Sequence, residues 1–323
     1  MGSHLTDYLV AQGHEILSLD NLSVGRKEYV NPKARFIQGD LKDKEVCKKV
    51  LKKVDIIYHL AAHAAEGQSV FTPRYTVETN LIGFINLLTA AINEGVKTFI
   101  FTSSMAVYGS QPQLPMKEEH PRKPEDPYGT SKAACEEFLK IYNELFDFNY
   151  VILRPHNVYG ERQKLNNPYR NVIGIFMNRI MHGKPPIIYG DGEQERALTY
   201  ISDCTPYVAE CAFNERAYGE IINIGSEEVT TINHLAKIVL EKMGSELKPI
   251  YVPPRPLDVK RAYSSSEKAG RLLGYETSTS LEVGIERMAK WAKSIGPEPF
   301  KYWKWEDFEI KKNVPKVWKD KEI

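Results

Sequence analysis

The chain has 323 residues, 42% hydrophobic and 26% charged, which suits a folded protein with a sizeable core and excludes a collagen, a disordered tail or a membrane-spanning chain. Forty-three Lys and Arg oppose 42 Asp and Glu for a formal charge of +1, a balance that argues against a general nucleic-acid binder. Cys47, Cys135, Cys204 and Cys211 show no CxxC spacing and read as reduced thiols of a cytoplasmic protein. The opening Met1-Gly2-Ser3-His4 lacks a charged-then-apolar leader pattern and is read as part of the protein, not as a tag scar.

In chain order, Leu5, Leu9 and Val10 form one apolar helical face that stops at Gly13, a residue suited to a left-handed helix end. A strand over 15–19, a helix over 44–53 and a strand over 54–60 follow. Next come a long helix over 77–93, a strand over 98–102, a long helix over 128–145 and a strand over 150–153. This alternation predicts βαβ units around a doubly wound parallel sheet, an α/β fold. Beyond about residue 157 the loops lengthen and fill with Pro, Gly and Asn, as binding loops do. Helical patterns at 172–181, 203–213, 232–243 and 281–293 predict a smaller α/β lobe beside the sheet. The expected division is a Rossmann-like domain over 1–156, a lobe mainly over 157–296 with segments returning to the sheet, and an aromatic tail over 297–323. All four tryptophans, Trp291, Trp303, Trp305 and Trp318, lie near or in that tail, which is expected to pack on the protein's own surface.

Gly2 opens the first helix and Asp20 ends the next strand, close to the spacing between the last glycine of a dinucleotide fingerprint and its ribose-binding acid. Asp20-Asn21 taken alone reads rather as a strand-ending turn. A Tyr and a Lys four apart share a helical face, where the ammonium favours the phenolate. Two such pairs occur, Tyr29/Lys33 and Tyr128/Lys132. Pro32 interrupts the first, whereas Asp126-Pro127 supplies an N-cap and an N1 proline for the second. Ser103-Ser104 ends the strand over 98–102, and parallel sheets bind ligands at such ends. A hydroxyl, a phenol and an ammonium together suit proton removal from an alcohol whose carbon gives hydride to a nicotinamide.

These residues, with Gly39-Asp40-Leu41, His59-Leu60-Ala61-Ala62, Asn80, the run Thr102-Ser103-Ser104-Met105-Ala106-Val107-Tyr108-Gly109, Pro127-Tyr128-Gly129-Thr130-Ser131-Lys132, Arg154-Pro155-His156-Asn157-Val158-Tyr159-Gly160 and Gly190-Asp191-Gly192, are specific in combination. From Gly2 to about Trp291 the chain resembles the extended short-chain dehydrogenase/reductase family, in particular its nucleotide-sugar epimerases and dehydratases. The resemblance implies a Rossmann-type fold and NAD as cofactor, held by Gly2, Asp20, Asn21, Asp40, Leu41, Leu60, Ala61, Ala62, Asn80, Tyr128, Lys132 and Pro155. It implies Ser104, Tyr128 and Lys132 as catalytic residues, with Ser104, Asn157, Arg196, Arg255 and Asp258 on the nucleotide sugar. Arg196 and Arg255 also read as surface ion-pair residues, and Asn157 as a turn residue. The family further implies a homodimer built on the two long helices, with Leu87, Leu88, Phe138, Tyr142 and Leu145 as apolar surface; the same residues suit contact with the chain's own sheet.

Dehydratases of this family carry Asp-Glu just after the catalytic hydroxyl, where this chain has Met105 and Ala106. Neither transfers a proton, so oxidation with return of hydride at C4 of a UDP-hexose is favoured over elimination. The alternatives are a reductase, another epimerase or a dehydratase on the same scaffold, or a non-catalytic nucleotide-binding protein. His59 and His63 lack a zinc pattern and read as core or cofactor-lining residues, so no metal is expected. Family members begin with a strand and a Gly-rich turn, and the chain starts at what corresponds to that turn's last glycine, so roughly ten residues are expected to be missing. Either the chain is a shortened form, favoured because Asp20, Ser104, Tyr128 and Lys132 remain, or it is a variant that has lost tight cofactor binding.

Overall fold

The computed structural model describes residues 1–256 and 258–323. Helix α1 spans Gly2–Ala11, followed by β1 (Leu17–Asp20), β2 (Arg35–Gln38), α2 (Lys44–Val50), β3 (Ile56–His59), α3 (Glu66–Ser69), α4 (Pro73–Val77), α5 (Gly83–Asn93) and β4 (Thr98–Thr102). Then come α6 (Pro127–Leu145), β5 (Asn149–Pro155), β6 (Val158–Tyr159), α7 (Val172–Met181), β7 (Ile187–Tyr189), β8 (Glu195–Ala197), β9 (Thr199–Tyr200) and α8 (Ile201–Glu210). The chain continues through β10 (Glu220–Ile224), β11 (Val229–Thr231), α9 (Ile232–Met243), β12 (Ile250–Val252), β13 (Arg261–Ala262), α10 (Glu267–Leu273), α11 (Leu281–Ile295) and α12 (Lys316–Lys319).

The central sheet is parallel throughout, in the order β10-β5-β4-β3. All five residues of β4, Thr-Phe-Ile-Phe-Thr, are buried, as expected of a strand covered on both faces. On one side Phe84, Leu87 and Leu88 of α5 and Cys135 and Leu139 of α6 pack with Phe99, Phe101 and Ile152. On the other, Leu5 and Leu9 of α1 join residues of α7, α8, α9 and α11 over Ile100, Val151 and Leu153. Strands β1 and β2 form a separate parallel pair. The parallel α/β architecture thus agrees with the sequence reading, in two pieces. Leu17, Ser18, Leu19, Ile56 and Tyr58 are only half-buried, because β1 and β3 are not bonded to each other.

Three local features differ from expectation. The helix over 77–93 begins at Pro73 and is interrupted by a wide π-type turn at Glu78–Ile82. Strand β2 was not anticipated: only Phe36 and Ile37 are apolar, too few to show a period. Leu87 and Leu88 face the chain's own sheet, so the apolar side chains that α4 to α6 and their flanks do expose are Val77, Ile82, Ile141, Leu145 and Phe146.

Candidate active site

The site grows from the end of β4. Ser103 Oγ donates to Glu136 at 2.5 Å, which fixes the chain so that Ser104 can cap the short turn Met105–Tyr108 by accepting from the Ala106 amide at 3.1 Å. Helix α6 starts beside that turn. Asp126 accepts from the Gly129 amide at 2.8 Å and Pro127 occupies the first turn, as the sequence predicts. A Cβ on Gly129 would lie 2.6 Å from the Ala106 carbonyl oxygen. Only glycine lets α6 approach so closely, and this approach brings Tyr128 to Ser104.

Ser104 and Tyr128 line one cavity of about 380 Å³ with Pro155, Asn157, Arg196, Arg255 and Asp258. Burial pushes the Tyr128 phenol up to about 12, against the pull of the Ser104 hydroxyl and, more weakly, of Arg170; Glu66 and Asp126 push it further up. Lys132 is buried one turn along α6. Its Nζ donates to the Thr102 carbonyl at 2.8 Å and lies 4.7 Å from the Phe101 ring centre. Burial brings Lys132 down to about 8. The cation that acts most on the phenol is thus Arg170, a residue outside the Tyr/Lys pattern, while the Lys132 ammonium is turned to the Thr102 carbonyl.

Across the cavity Asp258 holds both predicted arginines, Arg196 at 3.1 Å and Arg255 at 3.3 Å. They are therefore paired, as one reading of the sequence had it, but inside the cavity wall. Arg255 also sits over the Tyr189 ring at 5.0 Å. Asn157 adopts a positive φ of 27° and donates to the Ala197 carbonyl at 2.9 Å, so it is both a turn residue and a cavity residue.

The remaining predicted residues lie outside the cavity lining. Asp20 ends β1 and is exposed; Asn21 donates to Asp40 at 3.1 Å, which joins the ends of β1 and β2. Leu41 packs at the edge of the core, and Leu60, Ala61 and Ala62 follow β3. Asn80 is buried in the π-type turn, where its amide oxygen accepts from the His63 amide at 2.6 Å and its nitrogen donates to Ser131 at 3.2 Å. Met1, which caps α1 just ahead of Gly2, lines the cavity, so the positive end of a ten-residue helix points there. His59 is buried and stacks on Phe101, with its pKa down to about 3, while His63 meets Tyr75 and Trp303.

Among the cavity residues that sequence reasoning missed are Glu66, Arg170, Trp318 and Ile323. Glu66, at the start of α3, lines the space, and loss of solvation there raises its carboxyl against the pull of Arg196 and Arg255. Arg170 enters from the loop before α7. Arg170 lies in an irregular segment and Glu66 in a four-residue helix, too short to show a period. The tail packs Phe308, Val317, Trp318 and Ile323 against Phe71, Tyr169 and Ile187. It covers the protein's own surface as expected, but Trp318 and Ile323 also form part of the cavity wall.

A model of the NAD-dependent epimerase/dehydratase family matches residues 1–225. A Methanocaldococcus jannaschii protein, provisionally described as a UDP-glucose 4-epimerase, is 38% identical over 299 residues, 91% of this chain and 95% of the relative. A Bacillus cytotoxicus UDP-N-acetyl-alpha-D-glucosaminuronate decarboxylase is 31% identical over 91% of this chain and 95% of its own. The crystal structure of Thermotoga maritima UDP-glucose 4-epimerase with UDP-glucose superposes with a TM-score of 0.87 at 34% identity, covering 91% of this chain and 96% of that one. The paired hydroxyl and phenol at the end of β4, the parallel sheet behind them and these matches carry one conclusion: the chain belongs to the NAD-dependent epimerase/dehydratase family.

Proposed function

We propose that the chain is an NAD-dependent 4-epimerase of UDP-hexoses such as UDP-glucose and UDP-galactose. The observation that carries this reading is that Ser104 and Tyr128 share a cavity with the Arg196–Asp258–Arg255 cluster. One end offers an acid/base pair for a sugar hydroxyl and the other offers guanidinium groups for a diphosphate.

The residues present fit NAD. The Asp20 carboxylate accepts from the Leu22 amide at 2.6 Å through one oxygen and would offer the other to ribose hydroxyls, Asn21 and Asp40 make a polar edge beside it, and the α1 N-terminus suits a pyrophosphate. Lys132 uses one backbone acceptor, Thr102, and its remaining ammonium protons would hold a nicotinamide ribose. NAD, when bound, supplies the hydride acceptor. Ser104 orients the 4-hydroxyl, Tyr128 takes its proton and later returns it, and the arginine cluster holds the nucleotide while the sugar presents its other face.

Glu66 favours a second reading. Met105 and Ala106 transfer no proton, but the Glu66 carboxyl lines the same cavity, so it offers an acid for elimination. Incubating the protein with UDP-glucose and NAD and separating the products by anion exchange tests both. UDP-galactose without a 4-keto-6-deoxy sugar supports epimerisation, and the keto-deoxy product overturns it. Val77, Ile82, Ile141, Leu145 and Phe146 support the homodimer, with light scattering as its test. No described helix is long and apolar enough to cross a membrane, and the four cysteines are free and buried, which supports a cytoplasmic location.

A further inference from the structure

Ser104 is held from both sides by one buried ion pair. Arg154 on β5 reaches Glu136 on α6 through Nε at 2.8 Å and Nη2 at 2.6 Å. Its remaining arm, Nη1, donates to the Tyr108 hydroxyl at 2.7 Å, and its Cζ lies 4.7 Å from the centre of that ring. The residue just before Ser104 is anchored to the same pair, since Ser103 Oγ and Arg154 Nε share one Glu136 oxygen. Tyr108 closes the short turn that Ser104 opens, and it also donates to Asn223 on β10 at 2.7 Å. Ser103, Tyr108, Glu136 and Arg154 are all buried, and Arg122 adds a longer contact to Glu136 at 3.4 Å.

Burying two charges is a poor way to stabilise a core. Apolar side chains of similar volume often give equal or greater stability, because the desolvation of both charges disappears. What apolar groups lack is direction: a guanidinium fork on a carboxylate fixes distance and angle together. Glu136 stands eight residues after Tyr128 on the same helix, about 12 Å along its axis. The pair therefore ties both flanks of Ser104 to the helix that carries Tyr128. We propose that Glu136 and Arg154 are positioning residues, which hold the Ser104 hydroxyl at the Tyr128 phenol for proton transfer. Only the roles of Ser104 and Tyr128 are taken from the epimerase reading.

The double variant Arg154→Met/Glu136→Leu separates position from stability. It is expected to fold, with most of the stability that Arg154→Met alone loses restored. With saturating NAD its turnover of UDP-glucose falls about 10²-fold, the cost of a group misplaced by about 1 Å. Affinity for UDP, which brings no sugar hydroxyl to Ser104, stays within about twofold by calorimetry. Hydrogen exchange at the Ala106 amide, which donates to Ser104 Oγ at 3.1 Å, becomes at least about tenfold faster while the β4 amides keep their rates. Should the double variant not fold, Ser103→Ala and Tyr108→Phe spare the ion pair. Each is then expected to lose about tenfold in turnover, with faster exchange at Ala106. Parent-like turnover, or parent-like exchange at Ala106, in a folded variant overturns the proposal. A parent that yields no C4 epimer removes the reaction instead, and exchange at Ala106 then decides the positioning alone.

Discussion

Lys132 donates its ammonium to the backbone carbonyl of Thr102 at 2.8 Å, tying α6 to the strand that leads into Ser104. Burial also brings the Lys132 pKa down to about 8, so the charge is held at a cost. The unfolded chain keeps the lysine proton to about pH 10.4. Between these values the unfolded state binds the proton that the folded state has released, so stability rises with pH across the window. Urea denaturation at pH 7.5 and 9.5 is expected to show that rise in the parent and to lose it in Lys132→Met.

Tyr128→Phe keeps the ring in its pocket and deletes only the transferable proton. Turnover should fall by about 10²- to 10⁴-fold, the usual worth of a general acid/base, with sugar-nucleotide affinity changed by less than about twofold. Steady-state kinetics beside equilibrium binding checks the split. Because burial pushes the free phenol up to about 12, the difference spectrum between the parent and Tyr128→Phe, both without cofactor, should show no phenolate absorbance below about pH 10.

Arg154 and Glu136 form a fully buried two-pronged pair, at 2.8 and 2.6 Å, that also receives Ser103 and leans on Tyr108. Removing Arg154 leaves the buried Glu136 only the longer ionic contact with Arg122 at 3.4 Å, so Arg154→Met should destabilise by about 3 kcal/mol. Chemical denaturation reads this directly. Arg154→Met with Glu136→Leu should recover much of the loss, because neither charge then remains unpaired.

Trp318 is buried between Phe71 and Tyr169, edge-on to both. Trp318→Ala should cost about 3–5 kcal/mol and lower the melting temperature. The same change breaches the cavity wall, so it should also weaken nucleotide-sugar binding, measured by calorimetry below the melting transition.

Where local chemistry set the structure, the sequence was enough. Strand β4 and helices α7 and α9 have the bounds that periodicity predicts, and the Asp126-Pro127 start of α6 singles out Tyr128 and Lys132 from the rival pair Tyr29/Lys33. Long-range packing is where it fell short. The break between α4 and α5 depends on Asn80 finding Ser131, 51 residues away. Glu66 and Arg170 share a cavity with Tyr128 only because the start of α3, the start of α6 and the loop before α7 converge near one strand end, and no spacing rule records such a meeting. The tail's aromatic residues announce packing but not that Trp318 would wall the site.

The wide turn at Glu78–Ile82 makes the residue count of this segment matter as much as its composition. A π-type turn holds one residue more than an α-turn, and one residue is about 100° of rotation. Deleting any residue there would let the helix run regular, but only one end could stay in phase. Either Asn80 would leave His63 and Ser131, or Phe84, Leu87, Leu88 and Ala91 would swing off the sheet they cover. The segment therefore works as a phase shifter between the site and the core, and it should tolerate substitutions far better than a change in length.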